Sequence, residues 1–91
     1  MAALSQKVTI RNARGLHARA SAKFAAVAGS YDAEITVACC EWRVSALSIM
    51  GLLMLGAGVG EEIEITAEGP QAQEAIDTLV RLIEDRFGEK E

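Results

Sequence analysis

Asn12-Ala13-Arg14-Gly15-Leu16-His17-Ala18-Arg19-Ala20 lies where a short alternating segment gives way to an alanine-rich one. It holds the only histidine of the chain, with an arginine two residues on. Upstream, Lys7-Val8-Thr9-Ile10-Arg11 alternates polar and apolar. That is the two-residue period of a half-buried strand, with Val8 and Ile10 inward. Gly15 supplies the freedom for a positive φ at the break. Downstream, the run from Ala18 to Ala28 is rich in the best helix former, and Ala20, Phe24, Val27 and Ala28 recur at helical spacing. Gly29 supplies a stop. A strand, a sharp turn and a helix are therefore predicted around His17.

The same periods organise the rest. Ala33-Glu34-Ile35-Thr36-Val37-Ala38-Cys39 alternates with Ile35 and Val37 inward, and Trp42-Arg43-Val44 reads as a short partner strand. Ser48 is placed to cap a short helix that is apolar nearly all round, Ile49-Met50-Gly51-Leu52-Leu53-Met54-Leu55. Glu61 to Glu68 is the clearest strand, with Ile63, Ile65 and Ala67 inward. Pro70 suits the first turn of a last helix, and Ala72, Ala75, Ile76, Leu79, Leu82 and Ile83 form its buried stripe. Gly88 sits where a C-terminal cap belongs. The order β-α-β-β-α-β-α predicts an α+β two-layer sandwich, with helices on one face of a mostly antiparallel four-stranded sheet.

Ninety-one residues suit one domain, 1–91, with an aliphatic core, since 51% of residues are hydrophobic but only 4% aromatic. A net charge of -4 argues against a general nucleic-acid binder. Met1 to Lys7 lacks the apolar segment of a leader, and no run reaches the ~20 apolar residues that span a bilayer. Cys39 and Cys40 read as reduced thiols of a cytoplasmic protein. Neighbours on a strand point to opposite faces, and two cysteines with a distant histidine make a poor zinc set, so no metal or cofactor is expected. The Glu61-Glu62 pair and Glu89-Lys90-Glu91 read as solvated surface.

The chemistry gathers at His17. A helix starting at Ala18 leaves the N–H groups of Ala18, Arg19 and Ala20 unpaired, and such a terminus is a ready anion site. Arg19 adds a guanidinium fork suited to phosphate oxygens. A helix N-terminus disfavours imidazolium, which leaves His17 available as a nucleophile. No Ser/Asp partner set, metal cluster or nucleotide phosphate loop accompanies it. Acceptance and donation of a phosphoryl group on nitrogen is the chemistry left.

Gly15-Leu16-His17-Ala18-Arg19 after a strand, with Ser48-Ile49-Met50-Gly51-Leu52 further along, resembles the HPr family. These are the histidine phosphocarriers of the phosphoenolpyruvate-dependent phosphotransferase system. The resemblance covers essentially the whole chain and implies the HPr open-faced β-sandwich. It implies that His17 takes a phosphoryl group on Nδ1 from phospho-enzyme I and passes it to an enzyme IIA, with Arg19 steadying the phosphoryl oxygens. It also implies that Ser48 matches a regulatory serine used in some bacteria by HPr kinase/phosphorylase. Ala20 stands where the family usually has proline, and Leu47 where a basic residue often precedes the serine. Ala20 with Ser48-Ile49-Met50-Gly51 resembles alphaproteobacterial forms, in which the system is often regulatory. A monomeric carrier without turnover of its own is expected, docking partners through Arg14, Ala20, Ile49, Leu52, Leu53 and Met54. Methionines suit a surface that fits several partners in turn. A binding module acting through the Ser48 helix is the alternative. A small-molecule enzyme would need a second acid–base group near His17.

Overall fold

The computed structural model describes residues 3–91, so Met1 and Ala2, part of the stretch read as lacking a leader, lie outside the described residues. Strand β1 spans Leu4–Thr9, helix α1 Ala18–Gly29, β2 Glu34–Cys39, β3 Trp42–Ser45, α2 Ile49–Leu55, β4 Glu62–Glu68 and α3 Ala72–Glu84. A 3-10 turn over Arg86–Gly88 follows. The strands form one antiparallel sheet in the order β1-β4-β2-β3. With the helices on one face and the other face open, this is the expected open-faced β-sandwich. Among the described residues no helix is long and apolar enough to cross a membrane.

Alternation along the strands decides which face is covered. Val8 pairs with Ile63, and Val37 with Ile65, so the inward residues of three strands form one apolar layer. Onto it pack Ala20, Phe24 and Ala28 from α1, Leu52 and Leu55 from α2, and Ala75, Ile76, Leu79 and Ile83 from α3. Small alanines let α1 lie close to the strands. The open face carries hydroxyls and charge. Ser5 Oγ lies 3.0 Å from Thr66 Oγ1, and Arg43 donates to Thr36 Oγ1 at 3.0 Å.

Several element ends, and the geometry of one turn, differ from expectation. β1 starts at Leu4 rather than Lys7, because β4 is long enough to pair Leu4 with Ala67. It also ends at Thr9, although Ile10 still donates to Glu61 O at 2.9 Å and accepts from Gly60 N–H at 2.8 Å. Pro70 precedes α3, whose cap is Gln71. That residue is tied outward, its N–H donating to Asp32 O at 3.0 Å and its Oε1 accepting from Asp32 N–H at 2.7 Å. Gly88 closes the 3-10 turn instead of α3. Finally, Cys40 leaves the strand for a two-residue turn with φ +61°, so its side chain does not oppose Cys39 as strand neighbours do. Both cysteines are free. Burial, aided by the neighbouring Cys40 thiol and the Glu61 charge, pushes the Cys39 thiol up to about 11.

Gly15 positions the histidine loop. It has φ +63°, and a Cβ there would sit 2.8 Å from Gly58 Cα and closer still to the Ala57 carbonyl oxygen. The same carbonyl accepts from Leu16 N–H at 3.0 Å, so the loop after α2 clamps the residues before His17. Gly15→Ala combines a disfavoured φ with a backbone clash and should cost about 2–4 kcal/mol. Urea unfolding checks this, and a loss below 1 kcal/mol would mean that the two loops separate freely.

Candidate functional site

Helix α1 begins at the histidine itself. His17 is the N-cap residue, with extended backbone, and its Nδ1 accepts the Arg19 N–H at 3.2 Å. Ser21 N–H makes the first intrahelical bond, to His17 O at 2.8 Å. The N–H groups of Ala18, Arg19 and Ala20 therefore precede the helical ladder, but that of Arg19, expected to be unpaired, is taken by Nδ1 because His17 itself caps the helix. Buried Ser21 also donates through Oγ to Leu16 O at 3.1 Å, which fixes the turn from the far side.

The other ring nitrogen meets a residue that sequence reasoning placed in solvent. His17 Nε2 is hydrogen-bonded to Glu89 Oε2. Fully buried Asn12 donates to Glu89 Oε1 at 3.1 Å and to Gly15 O at 2.8 Å, joining the tail to the loop before His17. Asn12 Oδ1 is the unpartnered buried side-chain polar atom among the described residues. These two bonds set the tautomer. Nδ1 accepts the Arg19 N–H hydrogen bond and so carries the lone pair, while Nε2 carries the ring proton and donates a hydrogen bond to the carboxylate.

The tail is held by its own anchors. Buried Phe87 follows Arg86 with both at positive φ, which turns the chain back toward α1. Lys23 Nζ donates to Phe87 O at 2.7 Å, and Ala13 N–H donates to Glu91 O at 2.9 Å. The resulting open cleft, about 320 Å³, is lined by Ala13, Arg14, His17, Arg19, Glu89, Lys90 and Glu91. Burial works against ionisation of Glu89. The hydrogen bonds from His17 and Asn12, with the charge of Arg14, outweigh it and hold the carboxyl below its ordinary range.

The structure brings Arg14 and Arg19 beside His17 but leaves Ser48 and α2 outside the cleft lining. Ser48 is the N-cap of α2, its Oγ accepting Gly51 N–H at 2.9 Å. Two expected docking residues are corrected. Leu52 is 0% exposed because it faces the sheet, and the Ala20 side chain is likewise 0% exposed beneath α1. Leu53 is half-buried. Ile49 and Met54 do reach solvent, joined by Leu47 and Met50, which sequence reasoning did not single out. Glu89 and Asn12 were also missed. The available signal was Phe87-Gly88, an apolar anchor and a turn residue directly before Glu89.

Residues 4–85 match the family profile described as the PTS HPr component phosphorylation site. The chain belongs to the HPr family. It is 46% identical over 88 residues to the phosphocarrier protein HPr of Cupriavidus necator, covering 97% of this chain and 99% of that one. It is 44% identical over 89 residues to the phosphocarrier protein NPr of Shewanella violacea, covering 98% of each. Among solved structures, HPr of Thermoanaerobacter tengcongensis superposes with a TM-score of 0.92 at 40% identity, covering 97% of this chain and 99% of that one. As an HPr-family protein the chain is a phosphocarrier of the phosphotransferase system, moving a phosphoryl group through histidine without being an enzyme itself. His17 is its only histidine.

A lowered carboxyl has a pH signature. Glu89 ionises more readily folded than unfolded, so its contribution to stability is full above the ordinary glutamate range near ~4.3. It is lost as pH falls through the lower folded value. The gap in thermal midpoint between the native chain and Glu89→Gln should therefore narrow between about pH 6 and pH 3. A gap independent of pH would remove the carboxylate charge from the site.

Proposed function

We propose that His17 accepts a phosphoryl group on Nδ1 from phospho-enzyme I and donates it to an enzyme IIA in the cytoplasm, the chain acting as a monomer. The observation that carries this reading is the tautomer. The lone pair lies on the nitrogen at the helix N-terminus, and the proton lies on the nitrogen facing Glu89. In the forward step the Nδ1 lone pair forms the N–P bond as the bond between phosphorus and the donor breaks in line. Positive charge spreads through the ring, and the Glu89 carboxylate stabilises it through Nε2–H. The Arg19 guanidinium and the N–H groups of Ala18, Arg19 and Ala20 receive the phosphoryl oxygens. Donation to enzyme IIA reverses these changes.

With enzyme I, Mg²⁺ and phosphoenolpyruvate, the chain should gain one phosphoryl group that is lost in acid. His17→Ala should abolish labelling, and full labelling of that variant would overturn the assignment. Arg19→Ala should slow transfer at least about tenfold, equivalent to about 1.4 kcal/mol in the barrier, with the fold intact. Stopped-flow or quench-flow transfer rates measure it.

Partners are proposed to dock on the exposed residues Leu47, Ile49, Met50 and Met54, with Leu53 at the margin and Arg14 steering their approach. Exposed apolar side chains at 64%, 42%, 68% and 74% on one short helix and its entry support this. Met54→Glu leaves the core untouched and should raise the apparent KM for transfer from enzyme I about tenfold. An unchanged KM would move the docking face elsewhere.

A regulatory rather than sugar-transporting role is the second reading. The near-equal identity to a relative named NPr favours it. So does the Ala20 and Ser48-Ile49-Met50-Gly51 pattern, on which we base the alphaproteobacterial-like assignment. In this reading HPr kinase/phosphorylase acts on Ser48, placing a near-dianion at the start of α2. The helix terminus accommodates it locally, and its main effect falls on the partner docked beside it.

A further inference from the structure

The β2–β3 turn and the loop entering β4 bring together three side chains that phosphoryl transfer does not use. Cys39 Sγ and Cys40 Sγ lie 3.4 Å apart, and Glu61 Oε2 lies 4.0 Å from Cys40 Sγ. The three donor atoms all fall within 4.8 Å of one another. From this convergence we propose that Cys39, Cys40 and Glu61 form a binding site for a thiophilic divalent d¹⁰ cation of the Zn(II) class, with water completing a tetrahedron.

The two cysteines alone make a poor metal set, and a third donor changes that. The fold supplies it by pairing β2 with β4, which places Glu61 at the strand end beside the β2–β3 turn. The left-handed backbone at Cys40 does the rest. A continuing strand would send the two sulfurs to opposite faces, whereas φ +61° lets them converge.

The distances suit the cation. Zn–S bonds of about 2.3 Å and a Zn–O bond of about 2.0 Å in a tetrahedron place two sulfurs about 3.8 Å apart and a sulfur about 3.5 Å from the oxygen. The observed 3.4 and 4.0 Å separations lie within about 0.5 Å of those values, and Cys39 Sγ lies within 4.8 Å of the carboxylate oxygen, differences that a rotation of the exposed Cys40 and Glu61 side chains closes. The carboxylate is already oriented. Its Oε1 accepts Gly58 N–H at 2.6 Å, and the Glu61 backbone is held by Gly58 O at 3.0 Å and Ile10 N–H at 2.9 Å. This anchoring turns Oε2 to the sulfurs, as outer-shell hydrogen bonds do in metal sites. Cys39 is buried and Cys40 exposed, so one side of the site is dry and the other open for entry. Two thiolates exclude Mg²⁺ and Ca²⁺, and the carboxylate favours Zn(II) over Cu(I).

The test titrates the reduced full chain with Zn²⁺ in competition with a chromophoric chelator, and repeats it with Co²⁺. One ion per chain is expected, with a thiolate-to-Co²⁺ charge-transfer band in the near ultraviolet. Cys40→Ser is preferred to a change at buried Cys39 and should weaken binding about 100-fold, while Glu61→Gln should weaken it about 10-fold. Circular dichroism establishes that each variant is folded, and Glu61→Gln decides the matter if Cys40→Ser is not. His17→Ala should bind Zn²⁺ as tightly as the native chain. Absence of one-to-one binding, or native affinity in both site variants, overturns the proposal. Loss of binding in His17→Ala also overturns it, by placing the ion between His17 and Glu89.

Discussion

The hydrogen bond from Arg19 N–H to His17 Nδ1 is the constraint on which the site depends. It starts helix α1 on the imidazole and leaves the lone pair of Nδ1 pointing at the helix terminus. A ring held only there could still rotate or exchange tautomers. Glu89 removes that freedom by accepting the hydrogen bond of Nε2–H, and buried Asn12 ties Glu89 to the loop before the histidine. Two segments distant in sequence, the stretch from Asn12 to Arg19 and the tail at Glu89, thereby agree on the orientation of one ring.

Holding the tail in place has a cost. Arg86 and Phe87 both adopt left-handed backbone, at about 1–2 kcal/mol each for non-glycine residues. Burial of the Phe87 ring recovers about 1.5–3 kcal/mol. The bond from Lys23 Nζ to Phe87 O adds about 1.5–3 kcal/mol, as hydrogen bonds from charged donors do. The two sides are of similar size, so the tail is kept by its apolar anchor and its cation together, neither being ample alone.

Much of this was legible in the chain because it is written in local period and local chemistry. The strand alternation at Ile35–Val37 and Ile63–Ala67, the alanine helix after His17 and the Ser48 cap each depend on residues within a few positions of one another. The failures share the opposite property. Glu89 reaches His17 across 72 positions of sequence, and nothing in Glu89-Lys90-Glu91 distinguishes it from a solvated tail. Leu52 and Ala20 were misread because an apolar short helix and a small-residue helix do not reveal which side meets the sheet until their partners are in place. Cys40 was misread because strand logic was extended one residue into a turn whose left-handed backbone no glycine announces.

Because the same nitrogen caps α1 and would carry the phosphoryl group, helix stability and phosphoryl-transfer potential are coupled quantities in this fold. Forming the N–P bond consumes the lone pair that Arg19 N–H uses, and an N-cap of this kind is worth about 0.5–2 kcal/mol. To the extent that phosphoryl oxygens replace Nδ1 as acceptors, the helix start is preserved and the phosphorylated state is cheaper to reach. To the extent that they do not, the unrecovered capping energy raises the transfer potential, and each ~1.4 kcal/mol of it shifts the transfer equilibrium about tenfold. A carrier standing between two enzymes needs a potential intermediate between theirs. Here a helix terminus, rather than the intrinsic chemistry of imidazole, offers the means of adjusting it.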